Sequence, residues 1–371
     1  MINTKGIPMI FYTNFTESLE AKPYEQRAML GDENLITWQP HPQNPLFGPH
    51  AWERIGVKHT WRDPFIFREA GRTFLILGSE TAHSWRIPIY ETEDQECGHW
   101  FYRGILYEIS KQTRQSQFLF ECPNFTKIGN KWVLLYSPMI TGVEYVVGTF
   151  SLDTLTFHAE MQSVLDKGFQ NETGFYATNM FSNPTGECIL VGWIRGFPPQ
   201  RGWSGCLSLP RTLTLGTDGR PRQTPLLALQ QLRTGQKRLT DLRLQDRCQR
   251  IEDFRSDQFE ALFDIELGDA QDVGLNIYYG KHGDQTVIIR VNRENGEIDG
   301  LRIPLSAHAD GRMKLHLFVD HSVLELFIND GQECLTRIID ASNAMTGIEV
   351  FARNGNCVFK HIEIWNIRSI W

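Results

Sequence analysis

Residues 131–150 read KWVLLYSPMITGVEYVVGTF. Two short runs rich in β-branched and aromatic residues, KWVLLY at 131–136 and YVVGTF at 145–150, flank a segment holding Pro138 and Gly142. Neither run lasts the ten or more residues a helix needs, and the residues between them favour a turn, so the stretch reads as two antiparallel strands. The same pattern recurs outward in both directions, as PMIFY at 8–12, TFLIL at 73–77 and CILVGW at 188–193, with Gly, Pro, Asn and Asp between the runs. No convincing helical period occurs before about residue 225. The expected fold class is all-β.

Between residues 10 and 225 a polar lead-in, two apolar strands, a turn and a further strand recur about every 50 residues, the period of four-stranded propeller blades. About four such blades fit between Met9 and Leu215. Residues 226–257, rich in Gln, Arg and Leu, read as a linker packed along the outside of the domains on either side. From 258 to 371 strict alternation returns. Phe263, Ile265 and Leu267 alternate with Asp264 and Glu266, 286–291 forms a second strand, and Asn295-Gly296 and Asp330-Gly331 are hairpin turns. Leu324, Leu326 and Ile328 share one strand face and Val323, Glu325 and Phe327 the other. Short antiparallel strands at this spacing predict a β-sandwich of roughly 110 residues. The expected division is therefore 1–225, a propeller, 226–257, a linker, and 258–371, a sandwich.

Composition narrows the partners. A net charge of −7 and a pI near 5.9, with no long basic cluster, argue against nucleic acid. No stretch reaches the roughly 18 apolar residues of a membrane span, and the start, MINTKGIPMIFYTNF, lacks the pattern of a secretory leader. Seven dispersed cysteines, without a paired spacing, suit neither a disulfide framework nor a zinc site, so a reducing, cytoplasmic setting is expected. No metal or organic cofactor is indicated.

Three segments carry candidate chemistry. In HTWRDPFIF at 59–67, Pro64 biases Asp63 toward an extended conformation. Beside Arg62, that Asp suits two uses, a turn residue paired with the guanidinium or an ionised acceptor for sugar hydroxyls. In FECPNF at 120–125, Glu121 sits between an aromatic and a thiol. Apolar company of that kind raises a carboxyl pKa and keeps the group protonated, as a general acid requires. An exposed Glu at the start of a strand fits the same letters. TGFYA at 173–177, Trp193 and WSG at 203–205 offer aromatic faces for a sugar pocket or for a core. HSWR at 83–86 reads as surface-loop material that could touch a leaving group.

Taken together these segments resemble glycoside hydrolase family 32, the invertases, inulinases and levanases. Arg62-Asp63-Pro64, Glu121-Cys122 and Phe175-Tyr176-Ala177 are similar to the family's motifs in order and spacing. So are HPQNPLF at 41–47, WSGCLSLPRTLTL at 203–215 and FVDHSVLELFINDG at 318–331. The resemblance implies a five-bladed propeller joined to a C-terminal β-sandwich, and a retaining hydrolase of β-fructofuranosides such as sucrose, sucrose 6-phosphate or fructans. It gives Glu121 the role of general acid/base and Asp63 that of transition-state stabiliser, with Arg62, Trp61, Cys122, Tyr176, Phe175, Trp193 and Trp203 as sugar contacts.

One departure stands out. The family's first blade carries a Trp-Met-Asn-Asp-Pro-Asn-Gly type motif whose Asp is the nucleophile, and the one Asp-Pro of this sequence is Asp63-Pro64. Residues 3–16 look like the segment at which the family's second blade begins. The expectation is a five-bladed propeller represented without its first blade, with Asp32 a poor substitute for the nucleophile because GDEN reads as an exposed hairpin. Three readings follow: a hydrolase whose first blade lies outside these residues, a fructoside-binding protein that does not cleave, and a subunit completed in trans. An exposed propeller edge would favour self-association. An arabinan-active relative is a fourth reading, disfavoured by Glu-Cys and the sandwich.

Overall fold

The apolar runs become strands that turn back on their neighbours. The structure, a computed structural model, describes residues 1–15, 24–47, 56–113, 119–199, 202–279, 285–298, 301–302, 311–339 and 347–370. Among these the only helical element is a 3-10 turn, Leu227–Leu232.

The chain divides into two compact units. The first comprises Met1–Val164 with Tyr176–Phe181. It holds an antiparallel sheet of β1 (Met9–Phe15), β2 (Tyr24–Gly31) and β3 (Trp38–Pro40). A second sheet runs β4 (Val57–Glu69), β5 (Arg72–Thr81), β6 (Ser84–Thr92) and β7 (Phe101–Ser110). The third runs β8 (Glu121–Ile128), β9 (Lys131–Ser137), β10 (Glu144–Ser151) and β11 (Thr156–Val164). Strands β9 and β10 are the two runs of 131–150. Aromatics fill the space between sheets two and three: Phe125 stacks on Trp132 at 4.6 Å, and Phe67 stacks on Phe74 at 5.1 Å. HSWR is not a surface loop. Ser84 opens β6, and Trp85 is buried in this aromatic core because the strand's alternation turns it inward.

The strand β12 (Gly174–Ser182) begins in the second unit and carries Tyr176–Phe181 into the first. The second unit comprises Leu165–Phe175 and Ser182–Trp371. It includes β13 (Cys188–Arg195), β14 (Gly205–Leu207), β15 (Arg211–Leu215) and β16 (Pro221–Pro225), where β13 pairs with both β14 and β15 and β15 pairs with β16. The rest is a sandwich whose strands are β17 (Arg233–Gln245), β18 (Cys248–Arg250), β19 (Gln258–Glu266), β20 (Asp272–Tyr279), β21 (Gln285–Asn292), β22 (Glu297–Ile298), β23 (Leu301–Arg302), β24 (Arg312–Asp320), β25 (Val323–Ile328), β26 (Glu333–Ile338), β27 (Gly347–Arg353) and β28 (Asn356–Ile367). Among the described residues one sheet runs β17-β28-β19-β24-β25-β26 and the other β18-β27-β20-β21-β22-β23. Their inward side chains, among them Phe263, Ile265, Leu275, Leu317, Leu326 and Ile364, form a single apolar core.

A further detail differs from the sequence reading. Much of 226–257, expected as a linker, is strand: β17 pairs along its length with β28, and β18 with β27. The alternation of β17 was hidden by a register shift near its start and by Asp241, whose φ of 51° throws the inward positions from Leu239 to Leu242 and Leu244. In β25 both faces are covered: Glu325 and Phe327 are as buried as Leu324 and Leu326, because residues of β15 and of the segment before it lie over their side.

Candidate active site

Three strands of the first unit bring the motif residues together, and each does so through an irregular backbone. In β4 the pairing with β5 slips between Arg62 and Phe65, leaving Asp63 and Pro64 as a bulge. In β8 the pairing with β9 slips between Glu121 and Asn124, leaving Cys122 and Pro123 as a second bulge. Asp63 has φ 64°, Cys122 φ 47° and, on β12, Ala177 φ 45°. Left-handed backbone at a non-glycine costs about 1 kcal/mol each, so it persists only where the surroundings enforce it. The extended conformation expected for Asp63 is therefore corrected. Its amide, turned by the bulge, donates to Thr13 Oγ1 at 3.0 Å, and this bond with the slip in register outweighs the bias imposed by Pro64.

The bulges aim the side chains at one another. Asp63 Oδ2 accepts from the Cys122 amide at 2.9 Å, with the Cys122 thiol 3.8 Å away and Arg62 Nε also at 3.8 Å. Glu121 receives a hydrogen bond on each oxygen, from Arg62 Nη2 on Oε1 and from the Tyr176 hydroxyl on Oε2, the latter at 2.6 Å. Tyr176 also lies 3.1 Å from the carbonyl of Ser137, whose hydroxyl accepts from the Ala177 amide at 3.0 Å. The side chains of Asp63 and Glu121 keep 29% and 16% exposure, enough to meet a ligand. The apolar company expected for Glu121 is not what surrounds its carboxyl. A guanidinium and a phenol do, and both come from strands remote in sequence.

Burial raises the Asp63 carboxyl above its ordinary range, outweighing the Cys122 amide and the Arg62 charge, which pull it down. Burial, reinforced by the Asp63 and Glu121 charges, pushes the Cys122 thiol up, so that it stays a neutral donor. Arg62 is pushed up by Glu121 and Asp63 despite the opposing effect of its burial. The cluster thus combines a carboxyl bonded by a guanidinium and a phenol, a second carboxyl fixed in direction by a backbone amide, and a cation between them.

Not every expected sugar contact faces this cluster. The Trp61 side chain is fully buried, tilted against Phe47 and edge-on to Tyr90 with its indole N–H donating to the Tyr90 hydroxyl at 3.2 Å, since strand alternation sends it opposite to Arg62. Phe175 is likewise fully buried and packs on the Arg211 guanidinium in the second unit. Trp193 and Trp203 are in the second unit, 38% and 47% exposed, with Arg195 over the face of Trp193 and Phe197 against Trp203. Asp32 spends both oxygens on its own turn, accepting from the Ile36 amide at 3.0 Å and the Thr37 amide at 2.9 Å.

Three supporting residues were not singled out from sequence. Thr13 donates to Gln26 Oε1 at 2.9 Å, and buried Gln26 donates to the Trp61 carbonyl at 2.8 Å, which ties β1 and β2 to the bulge of β4. Ser137 performs the same service between β9 and β12. The available signal was a polar residue beside an apolar run, Thr13 with Asn14 in FYTNF and Ser137 at the end of KWVLLYS.

Comparison with known proteins bears on this arrangement. Residues 1–225 match the family described as Glycosyl hydrolases family 32 N-terminal domain, and residues 228–366 match Glycosyl hydrolases family 32 C terminal. A sucrose-6-phosphate hydrolase of Zymomonas mobilis is 27% identical over 349 residues, covering 83% of this chain and 66% of that protein. The levanase of Bacillus subtilis is 24% identical over 405 residues, covering 96% of this chain and 57% of the levanase. The chain thus spans about two thirds or less of the length of these curated relatives. The fold matches the crystal structure of fructan 1-exohydrolase IIa from Cichorium intybus with a TM-score of 0.82, at 19% identity, over 99% of this chain and 82% of that one.

Proposed function

Since the chain belongs to glycoside hydrolase family 32, we propose that the cluster of Arg62, Asp63, Glu121, Cys122 and Tyr176 is a β-fructofuranoside site. Asp63 accepts hydrogen bonds from fructosyl hydroxyls, and Glu121 delivers the proton to the leaving oxygen. The observation that carries this reading is the pair of carboxyls held by matching bulges, Asp63 by the Cys122 amide and Glu121 by Arg62 and Tyr176. Sucrose, sucrose 6-phosphate and fructans are the substrate class, in keeping with the names of the relatives.

Retention further requires a carboxylate about 5–5.5 Å from the acid to attack the anomeric carbon. In the proposed division of labour Asp63 and Glu121 already have other tasks, and Asp32 caps its own turn. The four sheets that precede the sandwich are read as four of five blades, and the attacking carboxylate as belonging to a blade outside these 371 residues. Exposed Ile10 and Phe15 on β1, with exposed Leu35 and Ile36 in the turn between β2 and β3, favour a second reading, in which a further blade is supplied in trans beside the first sheet.

The test combines titration calorimetry of the purified chain with fructose and sucrose and a hydrolysis assay on sucrose, sucrose 6-phosphate and inulin. Expected are binding that weakens at least tenfold in Asp63→Ala and turnover near background, since loss of a nucleophile costs about 10⁶ in kcat. Robust turnover by this chain would overturn the assignment of the attacking group to another blade. Absence of binding to any fructoside would overturn the site itself.

A further inference from the structure

Arg211 of β15 has no exposed side-chain surface, and all five of its N–H groups are engaged. Nε and Nη2 donate to Glu325 Oε2 at 3.2 and 2.6 Å, Nη2 also to Thr336 Oγ1 at 2.6 Å, and Nη1 to Asp166 Oδ2 at 3.1 Å and Gln223 Oε1 at 2.8 Å. The acceptors are themselves fixed. Asp166 Oδ1 accepts from the Gly168 and Thr336 amides, both at 2.9 Å, and Glu325 Oε1 accepts from the Leu209 amide at 2.8 Å. Burial opposes the charge on Arg211, but Glu325 and Asp166 overcome it and hold the guanidinium cationic.

Such a buried ion cluster is seldom the most stabilising filling for its volume, since well-packed apolar residues often do as well or better. What a planar five-donor fork supplies is direction. Its guanidinium carbon lies 4.2 Å from the centroid of the Phe175 ring and 5.1 Å from that of Phe327. The Phe175 ring also lies so close to Gly192 that a Cβ there would come within 2.4 Å of it. Phe175 is therefore held on its face by a cation that cannot rotate and at its edge by a glycine backbone.

Phe175 and Tyr176 are consecutive in β12, so their side chains leave the strand on opposite sides and fixing one sets the other. We propose that Arg211, locked by Glu325 and Asp166, is a positioning residue that sets Tyr176 and, through its hydroxyl, the carboxyl of Glu121. The proposal rests on Glu121 being the proton donor of the site. Arg211 touches no substrate in it.

The test needs no sugar, so its outcome is separate from that of the fructoside reading. The chain is labelled with ¹³Cζ-tyrosine, the Tyr176 resonance is assigned with Tyr176→Phe, and Glu121→Ala gives its position without the hydrogen bond. In Glu325→Gln the Tyr176 resonance is expected to move at least halfway to that position, while those of Tyr90 and Tyr278 stay in place and report an intact fold. A folded Glu325→Gln with an unmoved Tyr176 overturns the proposal, since a merely structural Arg211 would lower Tm and leave that resonance alone. If Glu325→Gln does not fold, Phe175→Leu, which leaves every charge paired, is read by the same two outcomes.

Discussion

Asp63 carries a tension that the pH of unfolding exposes. Its carboxyl is fixed by the Cys122 amide, yet burial holds it above the ordinary aspartate range. The folded chain thus keeps that proton to a higher pH than the unfolded chain does. Stability attributable to Asp63 falls as pH rises from the ordinary range, about 4, through the raised folded value. Asp63→Asn keeps an acceptor for Cys122 and removes the charge. It is expected to raise Tm by about 2 °C at pH 7, with the gain vanishing toward pH 4, as read by calorimetry across that interval. A lower Tm at pH 7 would mean that the hydrogen bond to the ionised form outweighs burial. A charge that weakens the fold is in keeping with the ligand-holding role proposed for Asp63. The identity of this residue was legible in Arg62-Asp63-Pro64, but its backbone was not, because the hydroxyl that turns its amide belongs to Thr13, 50 residues earlier.

At the scale of elements, neighbouring sheets meet closely where β5 passes the start of β8. Gly78 stands opposite Arg62 in the β4–β5 ladder, and a Cβ on it would lie 1.7 Å from the Phe120 carbonyl oxygen. Both partners are backbone, so neither can rotate away. Gly78→Ala is expected to destabilise by about 1–3 kcal/mol and to displace Glu121, the next residue after Phe120. Urea unfolding should show the loss, and calorimetry should show weakened fructose binding; wild-type values in both would refute the close approach. Strands were readable directly from sequence where they are short apolar runs, as in β9 and β10, or alternate with period two, as in β19 and β21. β17 was not, since a register shift and the left-handed Asp241 interrupt its alternation and Arg, Lys and Gln fill its outer face. The partners of Glu121 were equally hidden, because Arg62 and Tyr176 lie 59 and 55 residues away along the chain.

For the whole molecule, composition changes at residue 225, whereas the second compact unit begins at Leu165 and includes β13, β15 and β16 with the sandwich. Asp166 and Arg211 are buried charges whose partners Glu325 and Thr336 arrive with β25 and β26. A chain ending at residue 225 would lack Glu325, Phe327 and Thr336, which pair with and cover the Arg211 guanidinium, and so would expose a face that is buried in the full chain. Residues 1–225 expressed alone should therefore be aggregated or protease-sensitive, and a cooperative urea transition from that fragment would contradict this. The same contacts bear on how the protein is made. Asp166 and Thr336 are 170 residues apart, and a ribosome adds about 5–20 residues per second, so the first waits about 10–30 s for the second. During that interval the strand bearing Tyr176 has left the ribosome while Arg211, already followed by Gln223 and preceded by Asp166, still lacks Glu325 and Thr336. Slower translation lengthens this exposure, and the yield of soluble protein should depend on chaperone supply more than on the stability of the finished fold.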